Sequence, residues 1–323
     1  MWAYTVRRLL LLIPTMFIIT ATVFTLMRIV PGNVIDLIMV QMTEEQTLEA
    51  EEELDREAIE RALGLDKPIH VQYVTWMTGI FTRFDFGESL LSGKPVTDMV
   101  LERLPVTIEL NIMTMALALC LSIPIGIYSG VRQDSLIDYG GRTIAIALMS
   151  IPGFWIATLI IVYPSVYLGW SIQMEYVHIW DNFWKNQQIM VIPALMGGIM
   201  GIGGGIRLLR TVMLEVLRQD YVRTAWAKGV SERLIIFKHA LRNAMLPLVT
   251  MYAGLVPMLL GGNVIIEQIF CIPGMGRLSI SALTQRDYPI IAAINLMMSV
   301  IVVFLNLIVD LSYAWLDPRV QYK

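Results

Sequence analysis

Six stretches of this chain stay apolar for about 20 residues or more, the length a helix needs to cross the hydrocarbon core of a bilayer. They are residues 9–30, 106–130, 143–168, 189–209, 245–266 and 290–314. Lipid offers no hydrogen bonds to a backbone, so each run must close its own as a helix. The fold class this implies is an all-α polytopic membrane protein with six transmembrane helices. Hydrophobic residues make up 56% of the chain and charged ones only 16%, and the charges cluster between the runs. Pro14, Pro124, Pro152, Pro164, Pro193, Pro247 and Pro257 lie in or near the runs. Membrane helices carry such residues when neighbours satisfy the freed backbone groups.

Charge placement sets an expected orientation. Arg7, Arg8, Arg132, Arg142, the basic stretch 207–242, Arg319 and Lys323 fall on one side, and the short opposite loops hold only Lys185, Arg277 and Arg286. By the positive-inside rule both termini are then cytoplasmic, and the long segment 31–105 lies outside. The first run is too long for a signal-peptide core and lacks a small-residue cleavage site, so it is expected to remain as a span. The organisation that follows is 1–30 as the N-terminal cytoplasmic end and first span, 31–105 as an extracytoplasmic helical segment, and 106–323 as a core of five spans. Within 31–105, residues 43–63 read as a Glu- and Ala-rich helix stopped at Gly64. Its acidic run 49–53 reads as a solvated face or a docking face. Residues 71–82 read as a more apolar helix at the membrane interface, with Tyr73 and Trp76 as anchors.

The catalytic inventory is nearly empty. His70, His178 and His239 have no partner at metal-ligand or acid–base spacing, and no nucleophile elbow or zinc-protease motif occurs. No catalytic, cofactor or metal site is expected in this chain. Net charge is −3, which gives no pull toward nucleic acid. Cys120 and Cys271 read as small packing residues rather than a disulfide. The stretch from Gly87 to Gly93-Lys94-Pro95 imitates a phosphate loop but has Pro95 where a magnesium-ligating Ser or Thr belongs. Gly201-Ile-Gly203-Gly204-Gly205-Ile206 imitates a dinucleotide loop, but no strand precedes it. Gly197, Gly201 and Gly205 instead form two overlapping Gly-xxx-Gly steps for close helix packing, against this chain or another subunit. Arg28, Glu109, Glu267 and Asp310 fall near span ends, where snorkelling to the interface is the ordinary outcome and gating or substrate selection the alternative.

One polar segment has no such plain reading. Residues 220–248, DYVRTAWAKGVSERLIIFKHALRNAMLPL, predict two short helices: Asp220 caps the first, Gly229 ends it, and Ser231 caps the second. The second is expected to carry Leu234, Phe237, Leu241 and Met245 on one stripe, with Glu232, Arg233 and Arg242 off it. It runs without a linker through Leu246-Pro247 into the fifth span. A loop that only fixed topology would need none of this. A lever between a cytoplasmic partner and a membrane pore would.

At these residues the chain resembles the membrane permease subunits of ATP-binding-cassette importers. Their signature is a Glu-Ala-Ala triplet, a glycine four residues after its last alanine, and a later Leu-Pro. Here Arg223-Thr224-Ala225, Gly229 and Leu246-Pro247 occupy those places. Arg in place of Glu, and the longer gap to Leu-Pro, resemble the dipeptide, oligopeptide and nickel permeases, and the first, "B-type" permease among them. So do Arg28-Ile-Val-Pro31-Gly32, Phe86-Gly87-Glu-Ser89-Leu90, Glu102-Arg103-Leu104-Pro105, Phe270-Cys-Ile-Pro273-Gly274-Met-Gly276-Arg277, Arg286-Asp287-Tyr288-Pro289 and Leu316-Asp317-Pro318-Arg319. The segment 41–60 is the least family-like part.

The resemblance implies the type I importer permease fold with a cytoplasmic coupling helix, set in the cell inner membrane. It implies a pseudo-symmetric heterodimer with a homologous second permease, two cytoplasmic ATPase subunits that bind ATP and magnesium, and an extracytoplasmic solute-binding protein. The expected substrates are di- or oligopeptides, with nickel chelates or other small solutes as the alternative. Arg223, Thr224, Ala225, Gly229, Ser231, Glu232, Arg233, Phe237, Lys238 and Pro247 would couple to the ATPase. Phe270, Pro273, Gly274, Gly276 and Arg277 would meet the binding protein or gate the path. An ion-coupled transporter needs intramembrane ionisable groups or repeated halves, and a membrane enzyme needs a catalytic set. Neither is found in the sequence.

Overall fold

The computed structural model describes residues 2–29, 67–169 and 175–316. The expected helix at 43–63 and the acidic stretch 41–60 lie outside the described residues, as do the side chains of Arg28 and Asp310. The described residues are all-helical, apart from one isolated bridge between Glu88 and Pro95. The helices are α1 (Trp2–Ile29), α2 (Ile69–Arg83), α3 (Val96–Val131), α4 (Leu136–Ser150), α5 (Gly153–Leu168), α6 (Phe183–Leu217), α7 (Asp220–Ala227), α8 (Glu232–Leu234), α9 (Arg242–Gly262), α10 (Val264–Ile269), α11 (Met275–Gln285) and α12 (Tyr288–Leu316).

Each expected span lies largely on helix among the described residues. By length and composition α3, α6 and the stretch Tyr288–Val309 of α12 can each cross a bilayer. The third expected span, 143–168, is instead a bent pair: α4 and α5 meet at 92°. Ile151 precedes Pro152 and takes extended backbone, φ −103° and ψ 126°, the region a following proline favours. The fifth expected span also breaks, at Asn263 between α9 and α10.

The chain forms two compact units. One comprises the described residues up to 104 together with 278–307, and the other the described residues of 105–277 together with 308–316. In the first, α2 packs on α1. Tyr73 shares a 2.8 Å hydrogen bond with Thr20 and lies edge-on to Phe24, and Trp76 tilts against Phe24. Tyr73 and Trp76 thus make inter-helix contacts. The phosphate-loop imitation is a closed turn in this unit. Its amides bond to its own carbonyls, Ser89 to Lys94 at 2.9 Å and Val96 to Gly87 at 2.9 Å, and Ser89 Oγ donates to buried Asp287 at 2.6 Å.

In the second unit α6 is the central post. Ile206, Leu209 and Met213 on it are fully buried, in one cluster with Ala118 and Ile127 of α3, Ala145 of α4, and Ala244, Leu248 and Tyr252 of α9. A second cluster joins Val106 and Leu110 of α3, Ala157 of α5, Met190 and Ala194 of α6, Ile266 of α10, and Phe270 and Ile272 beyond it. Cys120 does not pack inside as expected: it is exposed on α3, and both cysteines are free thiols.

Candidate coupling site

The segment 220–248 is folded against the end of α6. Val222, Ala225 and Ile235 are buried there with Val216, Leu217 and Val230. The first helix starts one residue earlier than expected. Gln219 holds the cap position without a side-chain bond, and Asp220 lies in the first turn, where its carboxylate faces the positive end of the helix. Gly229 closes the helix with φ +75°, and the Val230 amide donates back to the Ala225 carbonyl at 3.2 Å. No atom crowds the place a Gly229 side chain would take, so backbone conformation alone requires glycine. Ser231 holds the next cap position but makes no side-chain cap bond.

The second helix departs from the expected stripe. After α8 the backbone becomes a π-helix over Ile235–Leu241 and passes directly into α9. The wider turn buries Ile235 and then Ala240 five residues on, followed by Ala244 and Leu248. Leu234 and Phe237 consequently face outward, Phe237 at 61% exposure, while Leu241 and Met245 are half-buried. The sequence periodicity assumed 3.6 residues per turn, and the π-helix shifts that register. Trp226, Leu234 and Phe237 therefore stand exposed on a packed base, among the exposed polar residues Arg223, Thr224, Ser231, Glu232, Arg233 and Lys238. Ala225 is buried, and Pro247 is an exposed residue within α9.

The glycines of α6 pack inside this chain, but not equally. At Gly205 an added methyl would overlap the Tyr252 hydroxyl and meet Ser122 Cβ at 2.7 Å. At Gly197 it would overlap Asn263 Oδ1, and at Gly201 it would rest at an ordinary 3.6 Å from Tyr252. Tyr252 bolts three helices: its hydroxyl lies 2.9 Å from Ser122 Oγ and 2.9 Å from the Gly201 carbonyl. The expected dinucleotide imitation is thus helix packing.

Residues 122–322 match the family described as binding-protein-dependent transport system inner membrane component, and residues 1–111 match its N-terminal membrane component. The chain belongs to this family. Over 325 residues, covering all of both chains, it is 39% identical to an oligopeptide transport system permease protein of Bacillus subtilis. It is 35% identical to a dipeptide transport system permease protein of Alkalihalophilus pseudofirmus, again over all of both chains. It is also 35% identical to a glutathione transport system permease protein of Salmonella choleraesuis, over 99% of each. The chain is a multi-pass membrane permease subunit of an ATP-driven importer, with the type I permease fold. It works with an ATPase and a substrate-binding subunit, and it is a transport component rather than an enzyme.

In this permease the loop after α10 is built around a carboxylate. Glu267, expected to snorkel, is 1% exposed. Its Oε1 accepts from Thr107 Oγ1 at 2.7 Å and its Oε2 from the Arg277 amide at 3.0 Å, and Thr107 Oγ1 accepts from the Met275 amide at 2.8 Å. A side chain at Gly274 would overlap the carboxyl group, and one at Gly276 would come within 2.9 Å of it. Arg277 is turned inward, its Nη1 donating to the Cys271 carbonyl at 2.7 Å. Phe270, Gly274 and Gly276 are buried, which leaves Pro273 and Arg277 as the half-exposed members of the expected outer contact. Glu109, likewise expected at a span end, accepts from the Tyr176 hydroxyl at 2.8 Å. Sequence reasoning did not assign Tyr252, Thr107 or Asp138. The partners that give them their roles, Ser122, Glu267 and Arg210, lie 130, 160 and 72 residues away in the chain, and no local pattern marks them.

Proposed function

We propose that this permease imports peptides, and that ATPase subunits drive it through residues 220–248. The named relatives carrying oligopeptide, dipeptide and glutathione transport support the substrate class. The observation that carries the mechanism is the exposed trio Trp226, Leu234 and Phe237 on a buried base that continues without a break into α9. In this reading the segment and both termini face the cytoplasm, and Phe237 seats in an ATPase groove flanked by Ser231, Glu232, Arg233 and Lys238. Two ATPases, a homologous second permease and an extracytoplasmic binding protein complete the complex. ATP and magnesium belong to the ATPases, and this chain binds no cofactor. The loop from Phe270 to Arg277 meets the binding protein or closes the path. A partner shifts a two-state membrane protein only through unequal affinity for the two states, so the contact must tighten in one ATPase conformation. The test is uptake of a labelled tripeptide into proteoliposomes holding the whole complex. Accumulation that requires ATP and the binding protein is expected. Accumulation by this chain alone, or of nickel chelates in preference to peptides, would overturn the proposal.

A further inference from the structure

The turn between α3 and α4 is fixed at every step, and nothing in the coupling segment's own sequence calls for it. Arg132 Nη2 pairs with Glu232 of α8 at 3.3 Å. The neighbouring Gln133 Oε1 accepts from Arg218 Nη2, at the end of α6, at 3.1 Å. Asp134 takes a left-handed conformation, φ +59°, and its amide donates to Asp138 Oδ2 at 3.0 Å. Asp138 has no exposed side-chain surface. Its two oxygens receive Nε and Nη2 of Arg210 in α6, the latter at 2.8 Å, and Arg142 Nε lies 3.5 Å from Oδ1.

A buried ion pair is a weak device for stability, because desolvation offsets most of the attraction. What a two-pronged guanidinium–carboxylate contact does supply is a single orientation. Packing adds to it. An added methyl on Gly203 of α6 would come 2.7 Å from the Ala145 carbonyl of α4, and one on Gly141 of α4 would overlap Ser129 Oγ of α3. At this end α4 has no room to slide along α6.

We propose that this turn is a second arm of the coupling site, in which Arg132 takes up displacement at Glu232 and Asp138 hands it to α4 and α6 through Arg210. The first arm is the direct path from the π-helix into α9. Arg132, Asp138 and Arg210 are positioning residues here. They touch neither ATPase nor substrate, and they act by making the start of α4 follow the coupling segment. The inference rests on the reading that ATPases drive the permease through residues 220–248.

The test measures peptide uptake per ATP hydrolysed in proteoliposomes of the whole complex, with copurified ATPase as the check on assembly. Arg132→Glu alters an exposed pair and leaves the fold intact. It should lower uptake per ATP by about three- to thirtyfold, the span that couplings within a protein commonly cover, and Arg132→Lys, which keeps the charge facing Glu232, should retain most of the wild-type ratio. Asp138→Asn should give a similar loss while ATPase still copurifies, and adding Arg132→Glu to it should lower the ratio little further, because both act on one route. Wild-type uptake per ATP in Arg132→Glu would overturn the proposal even if Asp138→Asn failed to fold. So would full multiplication of the two losses. Absence of ATP-coupled uptake in the wild type would instead sink the underlying reading, which keeps the two failures distinct.

Discussion

Replacing Gly205 with alanine tests how the permease core is packed. The new methyl would overlap the Tyr252 hydroxyl and come within 2.7 Å of Ser122 Cβ, so the tyrosine must move. Overpacking of a tight contact costs about 1–3 kcal/mol. Displacing Tyr252 weakens its bonds to Ser122 and Gly201, each at 2.9 Å, and two such bonds are worth about 1–3 kcal/mol together. Against this, alanine is favoured over glycine inside a helix by roughly 0.8–1 kcal/mol. The net is a loss of about 1–5 kcal/mol. Gly204→Ala is the matched control: its methyl would rest 3.7 Å from Met251 Sδ, an ordinary contact, so only the helix preference remains and stability should hold or rise. Gly201→Ala should behave like Gly204→Ala, although it belongs to the same Gly-xxx-Gly series as Gly205. Thermal stability of the detergent-purified complex, followed by size-exclusion after heating, reads all three. Adding Tyr252→Phe to Gly205→Ala should return part of the loss by removing the overlapping oxygen. Equal stability of the Gly205 and Gly204 variants would refute the packing argument.

Three further outcomes follow from the site. Gly229→Val should cut ATP-driven uptake, because a β-branched side chain resists φ +75°, whereas Gly229→Asn should keep most of it, since the surrounding space is open and Asn enters the left-handed region readily; equal activities would show that the conformation does not matter. Phe237→Asp should abolish copurification of ATPase with little change in the permease's own melting temperature, as the side chain is 61% exposed, and a matching fall in both would make Phe237 a core residue instead. Glu267→Ala should strip its hydrogen bonds to Thr107 and to the Arg277 amide, each worth about 0.5–1.5 kcal/mol; limited proteolysis should then cut between residues 270 and 277 where the parent resists.

The spans and the docking segment were legible because their signals are local. Length and apolarity mark α3, α6 and α12, and Gly229 announces its own left-handed turn. The bend between α4 and α5 was not read, because Pro152 resembles Pro193 or Pro247, which stay inside helices. The difference lies in Ile151, which went extended, and in Gly153 behind it, which touches the Met196 carbonyl too closely to carry a side chain. The register of the coupling helix was misjudged for a similar reason. Leu234, Ile235, Ile236 and Phe237 are four consecutive apolar residues, and only packing on α6 selects Ile235 for burial. Glu267 was misplaced because the groups that satisfy it include Thr107, 160 positions away. Long-range polar pairs leave no periodic trace in a sequence.

A photo-crosslinking residue in place of Phe237, activated in the assembled transporter, tests the central claim most directly. The account predicts an adduct with an ATPase subunit, stronger in one nucleotide state than in the other, and none from the same probe at Tyr163 of α5. An adduct with the substrate-binding protein, or no nucleotide dependence, would contradict it.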